Sequence, residues 1–170
     1  MLTDYLLTRI QEKKKRLDDL RPLPPAIMRR LNEQFSVEWI YNSNAIEGST
    51  LTLRETQLVL EQGITIGGKS LREHFEVINH QEAILLVESL ASGDSPLSSF
   101  TVRQLHALVL EKIDTANAGQ YRTVPVRIVG ATHEPPPSWD LPAQMDEWSS
   151  WVQAEEGVME TVALAALAHH

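Results

Sequence analysis

Apolar residues recur every three or four positions along most of the chain, which is the spacing of amphipathic helices. The pattern predicts a first helix over residues 2–20 and a second from about Ala26 to near Gly48. Between them, residues 21–25 read Arg-Pro-Leu-Pro-Pro, and proline interrupts a helix because it has no amide donor. Gly48 suits the left-handed residue that often ends a helix.

Capping signals indicate where the next helices begin. Thr52 with Glu55, and Ser70 with Glu73, each match a capping box, in which a hydroxyl and a glutamate satisfy two free amides at a helix start. Three more helices are predicted: one capped by Ser98 or Ser99 after a turn at residues 92–96, one through residues 145–152, and one from Val158 to the end.

Residues 119–134 have a different pattern. Four β-branched residues, Val124, Val126, Ile128 and Val129, lie between Gly119 and Gly130, which predicts a β-hairpin. Pro135 to Pro137 should then continue in an extended conformation. The predicted fold class is therefore mainly α, with one small β-hairpin.

Composition indicates a single globular protein of ordinary size. The 170 residues are 42% hydrophobic and 22% charged, which is typical of soluble domains. No apolar run approaches the roughly 20 residues that span a bilayer, and the start lacks the order of a signal peptide. The sequence contains no cysteine, which excludes disulfides and thiolate metal sites. A cytoplasmic protein without a membrane partner is the prediction.

The charge argues against nucleic acid as a partner. The net charge is −8, whereas DNA-binding proteins usually concentrate positive charge on one face. The basic run at residues 13–16 could contact phosphate or lipid, but Asp18 and Asp19 follow it, and a solvated helix face explains it better. His74 and His80 lie six positions apart, a poor spacing for two ligands on one helix face, and no metal site is predicted.

The segment Ser43-Asn44-Ala45-Ile46-Glu47-Gly48 is the most informative one. Residues four apart share a helix face, so the Ser43 hydroxyl is expected to reach the Glu47 carboxylate. A glutamate in the last helical turn faces the negative end of the helix dipole, which is unfavourable unless a cation outside the helix pairs with it. The alternative is a plain surface glutamate followed by a capping glycine.

With the following Ser49-Thr50-Leu51-Thr52-Leu53, this segment resembles the inhibitory motif Ser/Thr-x-x-x-Glu-Gly/Asn of the Fic (filamentation induced by cyclic AMP) or Fido family. The resemblance continues, in the family's order and spacing, through blocks at residues 68–71, 76–80, 118–122, 129–136 and 165–169. It implies an N-terminal helical region over residues 1–35 and the N-terminal part of a Fic domain over 36–170. Within the latter it implies an inhibitory helix at 36–48 and a flap hairpin at 119–134.

The resemblance implies a protein adenylyltransferase, which transfers AMP from ATP, with Mg²⁺, to a Ser, Thr or Tyr hydroxyl of a target protein. Some relatives also remove AMP, and relatives are often dimers, which makes a homodimer an expected assembly. The family's chemistry depends on the pattern His-Pro-Phe-x-Asp/Glu-Gly-Asn-Gly-Arg-x-x-Arg, and no Gly-Asn-Gly-Arg occurs in these 170 residues. By the family's spacing it should begin about ten residues beyond His170, so the chain is expected to stop before it and to be inactive alone. His169 and His170 are then not the catalytic histidine.

The resemblance also assigns roles to residues that are present. Glu47 would form an ion pair with the arginine that otherwise binds the γ-phosphate of ATP. Ser43 would hold the Glu47 side chain in place, and Gly48 would end the helix.

The flap would align an extended target segment by strand addition. Its tip near the nucleotide matches Val129, Gly130, Ala131 and Thr132, whereas an ordinary hairpin closing over the core is the alternative. Tyr121 and Arg122 are weaker candidates, because an arginine beside a hairpin entrance more often ties down a neighbouring carboxylate.

Two other classes of function stay open: an antitoxin-like partner that supplies the inhibitory helix to a separate Fic chain, and a non-enzymatic helical adaptor or inactive fragment.

Overall fold

The computed structural model of the chain describes residues 3–93 and 96–169. Leu2 of the predicted first helix, Asp94 and Ser95 of the predicted turn, and His170 lie outside the described residues. Seven α-helices are present in the described part of the chain: α1 (Asp4–Asp18), α2 (Pro25–Ile46), α3 (Leu53–Gln62), α4 (Leu71–Ala91), α5 (Ser99–Val109), α6 (Leu141–Glu155) and α7 (Thr161–His169). The predicted mainly helical fold is confirmed.

The chain divides into two compact units, residues 1–36 and residues 37–170. The first contains α1 and the beginning of α2. No residue of α1 is buried, and Lys14 of the basic run forms an exposed ion pair with Asp18, at 3.1 Å. The lysines of this run therefore lie on a solvated helix face.

The second unit has a core built from three helices and the loop between the first two. Fully or nearly buried apolar side chains come from α2, the loop, α3 and α4, and two partly buried ones pack against them: Ile40, Leu51, Val59, Val77 and Ile84, with Leu60 and Ile66. Burial of these side chains fixes the last part of α2 against α3 and α4, because each buried aliphatic side chain contributes about 1.5–3 kcal/mol.

Both predicted capping boxes are present. Thr52 accepts a hydrogen bond from the Glu55 amide, and the Glu55 carboxylate accepts one from the Thr52 amide. Ser70 and Glu73 are paired in the same way at the start of α4. Local sequence therefore sets where α3 and α4 begin.

His74 is a buried residue with two backbone partners. Its Nε2 accepts a hydrogen bond from the Ile66 amide at 2.8 Å, and its Nδ1 lies 2.7 Å from the Ser70 carbonyl oxygen. The imidazole holds the loop before α4 in place, which gives it a structural role.

The predicted β-hairpin at residues 119–134 is wrong. The fully described segment contains no strand: two arms without regular secondary structure flank a turn in which the Ala131 amide donates to the Ile128 carbonyl, at 3.2 Å. Pro125 in one arm and Pro135 to Pro137 at the end of the other have no amide donor for a ladder. The valines also lack a partner surface, since Val124 is 60% and Val129 100% exposed. A two-stranded ribbon of this kind is at best marginally stable.

In the described ranges, no helix has the length and apolar character required to cross a membrane.

Candidate functional site

The C-terminus of α2 ends in a Schellman motif. The Ser49 amide donates to the Asn44 carbonyl at 2.9 Å, and the Gly48 amide donates to the Ala45 carbonyl at 3.1 Å. This pair of bonds requires a left-handed residue after the last helical ones, and Gly48 has φ +96°. Glu47 is thereby fixed as the residue that caps α2, directly at the negative end of the helix dipole.

A groove of about 470 Å³ lies beside this helix end. Its walls come from three parts of the second unit, namely the end of α2, the first half of α4, and the end of α5 with the turn that follows it. The lining residues are Ser43, Asn44, Glu47, Arg72, Glu76, His80, Val109, Leu110 and Ile113. Of the three inhibitory residues predicted from the sequence, Ser43 and Glu47 lie in one wall of this groove, and Gly48 is not among its lining residues.

The α4 wall is a column of polar side chains. Arg72, Glu76 and His80 are spaced four residues apart, so they stack along one helix face. Arg72 Nε donates to Glu76 Oε1 at 2.8 Å, which neutralises that pair. His80 is half-buried, and burial lowers the pKa of its imidazole below the usual 6.5, so it is neutral at pH 7. With Glu47 added, two carboxylates face one guanidinium, and the groove has one net negative charge.

The third wall is apolar and is held by Asn79 of α4. Asn79 Nδ2 donates to the Val109 carbonyl at 3.1 Å and to the Glu111 carbonyl at 2.6 Å. These bonds cap the end of α5 and fix the following turn, which carries Leu110 and Ile113 into the groove. Asn79 was not predicted as a site residue, because its partners are about thirty positions away in the sequence.

The loop that follows Gly48 is fastened to the start of α4. The amide and hydroxyl of Thr50 both donate to Glu73 Oε1 at 2.7 Å, while Ser70 donates to Glu73 Oε2 at 2.9 Å through its amide and its hydroxyl. Lys69 Nζ also donates to the Thr50 carbonyl and hydroxyl. The hydroxyl of Thr50, the amide of Ser70 and the amide of Thr50 lower the pKa of Glu73 to about 2. At neutral pH an ionised glutamate therefore holds the chain that follows Gly48.

Ser43 and Glu47 do not contact each other in the expected way. Their link is the backbone bond from the Glu47 amide to the Ser43 carbonyl, at 3.4 Å, and the hydroxyl and carboxylate are not hydrogen-bonded. Within the described residues the Glu47 carboxylate is exposed and has no hydrogen-bond or ion-pair partner. The cation that its position calls for is not supplied by residues 3–93 or 96–169.

The predicted flap residues lie at a different place from the groove. Val129 and Gly130 form the tip of the turn, where Gly130 has φ +82° and open space around it. Ala131 and Thr132 line a separate cavity of about 500 Å³ enclosed by residues 125–137. The positive φ at Gly130 favours glycine at this position. The turn and the groove share no lining residue.

Tyr121 and Arg122 are engaged at the base of this segment. The Arg103 guanidinium lies 5.3 Å from the centre of the Tyr121 ring. Arg122 donates to the Val124 carbonyl in its own arm, at 3.2 Å, and to the Pro136 carbonyl in the other arm. Arg122 therefore ties the two arms together through carbonyls, rather than tying down a carboxylate.

The groove does not fit ATP phosphates. The groove is negatively charged, and its one guanidinium is already paired with Glu76. No cluster of three or more His, Asp or Glu side chains in the described ranges could hold a metal ion.

No family model matches the chain, but individual proteins do. It is 32% identical over 171 aligned positions to a protein adenylyltransferase Fic of Nematostella vectensis, covering 99% of this chain and 39% of that protein. A protein of the same name from Culex quinquefasciatus is 29% identical, over 95% of this chain and 32% of its own length. The chain therefore spans about a third to two fifths of these relatives.

Solved structures of Fic proteins are also similar to this chain. A Fic domain containing signaling protein from Bacteroides thetaiotaomicron superposes with a TM-score of 0.88 at 31% identity, covering 94% of this chain and 62% of that one. Fic-1 from C. elegans superposes with a TM-score of 0.76 at 29% identity, covering 98% of this chain and 51% of that one. Sequence and fold agree over nearly all of its 170 residues, and the chain belongs to the Fic family.

Proposed function

We propose that this chain is the regulatory N-terminal portion of a Fic-family protein adenylyltransferase, in which Glu47 restrains the transfer of AMP. The observation that carries the proposal is the position of Glu47. Glu47 is the residue at the C-terminal cap of α2, its side chain lines the groove, and its carboxylate has no partner among the described residues.

The position of the Glu47 carboxylate at the end of α2 favours its pairing with a cation that the described residues do not supply. A carboxylate at the C-terminus of a helix is destabilised by the helix dipole, typically by about 0.3–1 kcal/mol, and an arginine that pairs with it reverses the sign of the interaction. The Schellman motif and the Thr50–Glu73 hydrogen bonds hold both sides of Glu47. Little backbone entropy is then lost when the carboxylate binds a guanidinium.

The proposed inhibition follows from charge. A nucleotide triphosphate needs positive groups around its γ-phosphate, and an arginine is well suited because it binds phosphate in a bidentate manner. If Glu47 pairs with that arginine, the phosphate loses its partner and meets a carboxylate of like charge. ATP is then excluded, or it binds with its α-phosphate misplaced for transfer.

ATP and Mg²⁺ are assigned to residues outside this sequence. The negative charge of the groove and the lack of a three-ligand cluster in the described ranges support this assignment. The family resemblance implies that ATP and Mg²⁺ bind to the catalytic pattern with Gly-Asn-Gly-Arg. That pattern is absent from the 170 residues. The contribution of this chain is the control of that pattern.

We further propose that the segment at 119–137 binds the target protein. Its two arms contain backbone amides and carbonyls that are free of a ladder, which supports strand addition by an extended peptide. Arg122 keeps the arms together at their base, while Val129 at the tip is fully exposed. The target would present a Ser, Thr or Tyr hydroxyl.

Measurement of AMP incorporation from labelled ATP tests the regulatory role. The chain is assayed with a Fic catalytic pattern supplied in two ways, within one polypeptide beyond residue 170 and as a separate polypeptide. Glu47→Gly should raise incorporation at least tenfold, because loss of a charged pair of about 1.5–3 kcal/mol frees the arginine.

Glu61→Gly is the matched control, because Glu61 is also an exposed glutamate in the last turn of a helix, shortly before a left-handed glycine. Equal rates for Glu47→Gly and wild type in both arrangements would refute the proposal. An increase by Glu47→Gly that occurs only in the separate-polypeptide arrangement would identify the chain as an inhibitor that acts in trans.

A further inference from the structure

Asn44 has a buried donor without an acceptor. The residue is 9% exposed, and its Nδ2 has no hydrogen-bond partner among the described residues. Buried side-chain donors are satisfied in the large majority of native structures, because an unpaired one loses its bonds to water and gains nothing. An acceptor for Asn44 is therefore expected from something that binds the chain.

The position of Asn44 indicates where that acceptor comes from. Asn44 lines the groove, as does Glu47. The two residues are three positions apart on α2, so their Cβ atoms lie about 5–6 Å from each other on the same side of the helix. Whatever enters the groove and reaches Glu47 also passes Asn44.

Three properties of the groove restrict its occupant. One net negative charge selects a cation, the Asn44 donor selects an oxygen acceptor, and Val109, Leu110 and Ile113 select an apolar stem. A free phosphate has the wrong charge, and a bare metal ion has no acceptor. A peptide segment with an arginine has all three parts: a guanidinium, a backbone carbonyl and an aliphatic side-chain stem.

We propose that Asn44 is a positioning residue of the inhibitory helix, whose Nδ2 donates to a backbone carbonyl of the arginine-bearing segment that Glu47 binds. This inference rests on the proposed function, and it adds a second contact to the inhibition. Glu47 binds the guanidinium, while Asn44 fixes the main chain beside it.

The variant Asn44→Leu separates this role from a purely structural one. Leucine has the same number of side-chain heavy atoms, branched at the same position, and no donor, so the unoccupied chain loses no protein hydrogen bond and no longer buries an unpaired amide. Its Tm should equal or exceed that of wild type, since removal of an unsatisfied polar group is neutral or stabilising. A lower Tm for Asn44→Leu would mean that Nδ2 is already bonded, which would overturn the inference.

Binding is tested directly by titrating the ¹⁵N-labelled chain with a capped peptide of sequence Gly-Asn-Gly-Arg-Ala-Ala-Arg. The side-chain NH₂ resonance of Asn44 should shift in a saturable manner, together with the amide of Glu47. The affinity should fall about tenfold in Asn44→Leu, the effect of one lost hydrogen bond of ordinary strength. A peptide with lysine in place of both arginines serves as the control and should bind more weakly.

The inference is overturned if the Asn44 NH₂ resonance does not move, or if Asn44→Leu binds the peptide as tightly as wild type.

The activity assay gives an independent readout. In a chain joined to a Fic catalytic pattern, Asn44→Leu should raise AMP incorporation above wild type, and it should add nothing in a Glu47→Gly background. If Glu47→Gly leaves the rate unchanged, the proposed function fails, and the peptide titration alone then decides the role of Asn44.

Discussion

Glu73 accepts four hydrogen bonds, two from Thr50 in the loop after Gly48 and two from Ser70 at the start of α4, and the effect of replacing it by glutamine can be calculated. Glutamine keeps one carbonyl oxygen and places an NH₂ group where the second carboxylate oxygen was. It therefore loses two of the four acceptor contacts from Thr50 and Ser70 and sets donor against donor.

The magnitude follows from the number and type of these bonds. A hydrogen bond to a charged group contributes about 1.5–3 kcal/mol, and the partial exposure of Glu73 puts each bond at the lower end. Glu73→Gln should then reduce the free energy of unfolding by about 2–3 kcal/mol. For a chain of this size, the melting temperature should fall by roughly 5–10 °C.

The pH dependence has a definite sign. The pKa of Glu73 is lowered from 4.5 to about 2, so the folded state favours the ionised carboxylate more than the unfolded state does. Its contribution is fully present above pH 4.5 and is lost as the pH falls toward 2. The difference between wild type and Glu73→Gln should be constant from pH 5 to 8 and should narrow below pH 4.5.

Urea unfolding at pH 7, 5, 4 and 3 measures this difference. Glu82→Gln is the matched control, since Glu82 is an exposed glutamate of the same helix. The reasoning is refuted if both variants lose the same stability, or if the deficit of Glu73→Gln is unchanged at pH 3.

Two further predictions concern packing, and thermal unfolding checks both. Gly119→Ala should destabilise the chain by about 2 kcal/mol, because a Cβ there would lie 3.0 Å from the Ala107 Cβ at φ +69°, whereas Gly130→Ala, in open space, should cost about 1 kcal/mol. Equal losses would contradict the steric argument. Ile40→Ala should cost about 2–5 kcal/mol because Ile40 is 0% exposed, and Ile46→Ala, at 83% exposure, should stay within about 0.5 kcal/mol of wild type. A small loss at Ile40 would mean that the core is not where the structure places it.

The helices and their starts could be predicted because their causes are local. A capping box needs residues only three positions apart, and Thr52 with Glu55 behaves as its sequence indicates. Gly48 likewise ends α2 through bonds to residues within five positions. Such features depend little on the rest of the fold.

The hairpin prediction failed because alternation of valines describes only one requirement of a strand. A ladder also needs amide donors opposite carbonyls, and Pro125 and Pro135 remove donors from the two arms. The valines at 124, 126 and 129 stay exposed, so burial adds little to offset the entropy of ordering a ribbon.

The groove itself could not be read from the sequence. Glu47 was singled out by its place at a helix end, but Arg72, His80 and Leu110 join it only through tertiary packing. Asn44 was part of the recognised motif, yet its unpaired donor becomes visible only once burial is known.

The central claim is that Glu47 restrains AMP transfer by forming an ion pair with the arginine that would otherwise bind the γ-phosphate of ATP. The most direct test is the rate of AMP incorporation by Glu47→Gly relative to wild type, in a chain that carries the Fic catalytic pattern, with Glu61→Gly as the control. The account predicts an increase of at least tenfold for Glu47→Gly and no change for Glu61→Gly. Equal rates for Glu47→Gly and wild type would contradict it.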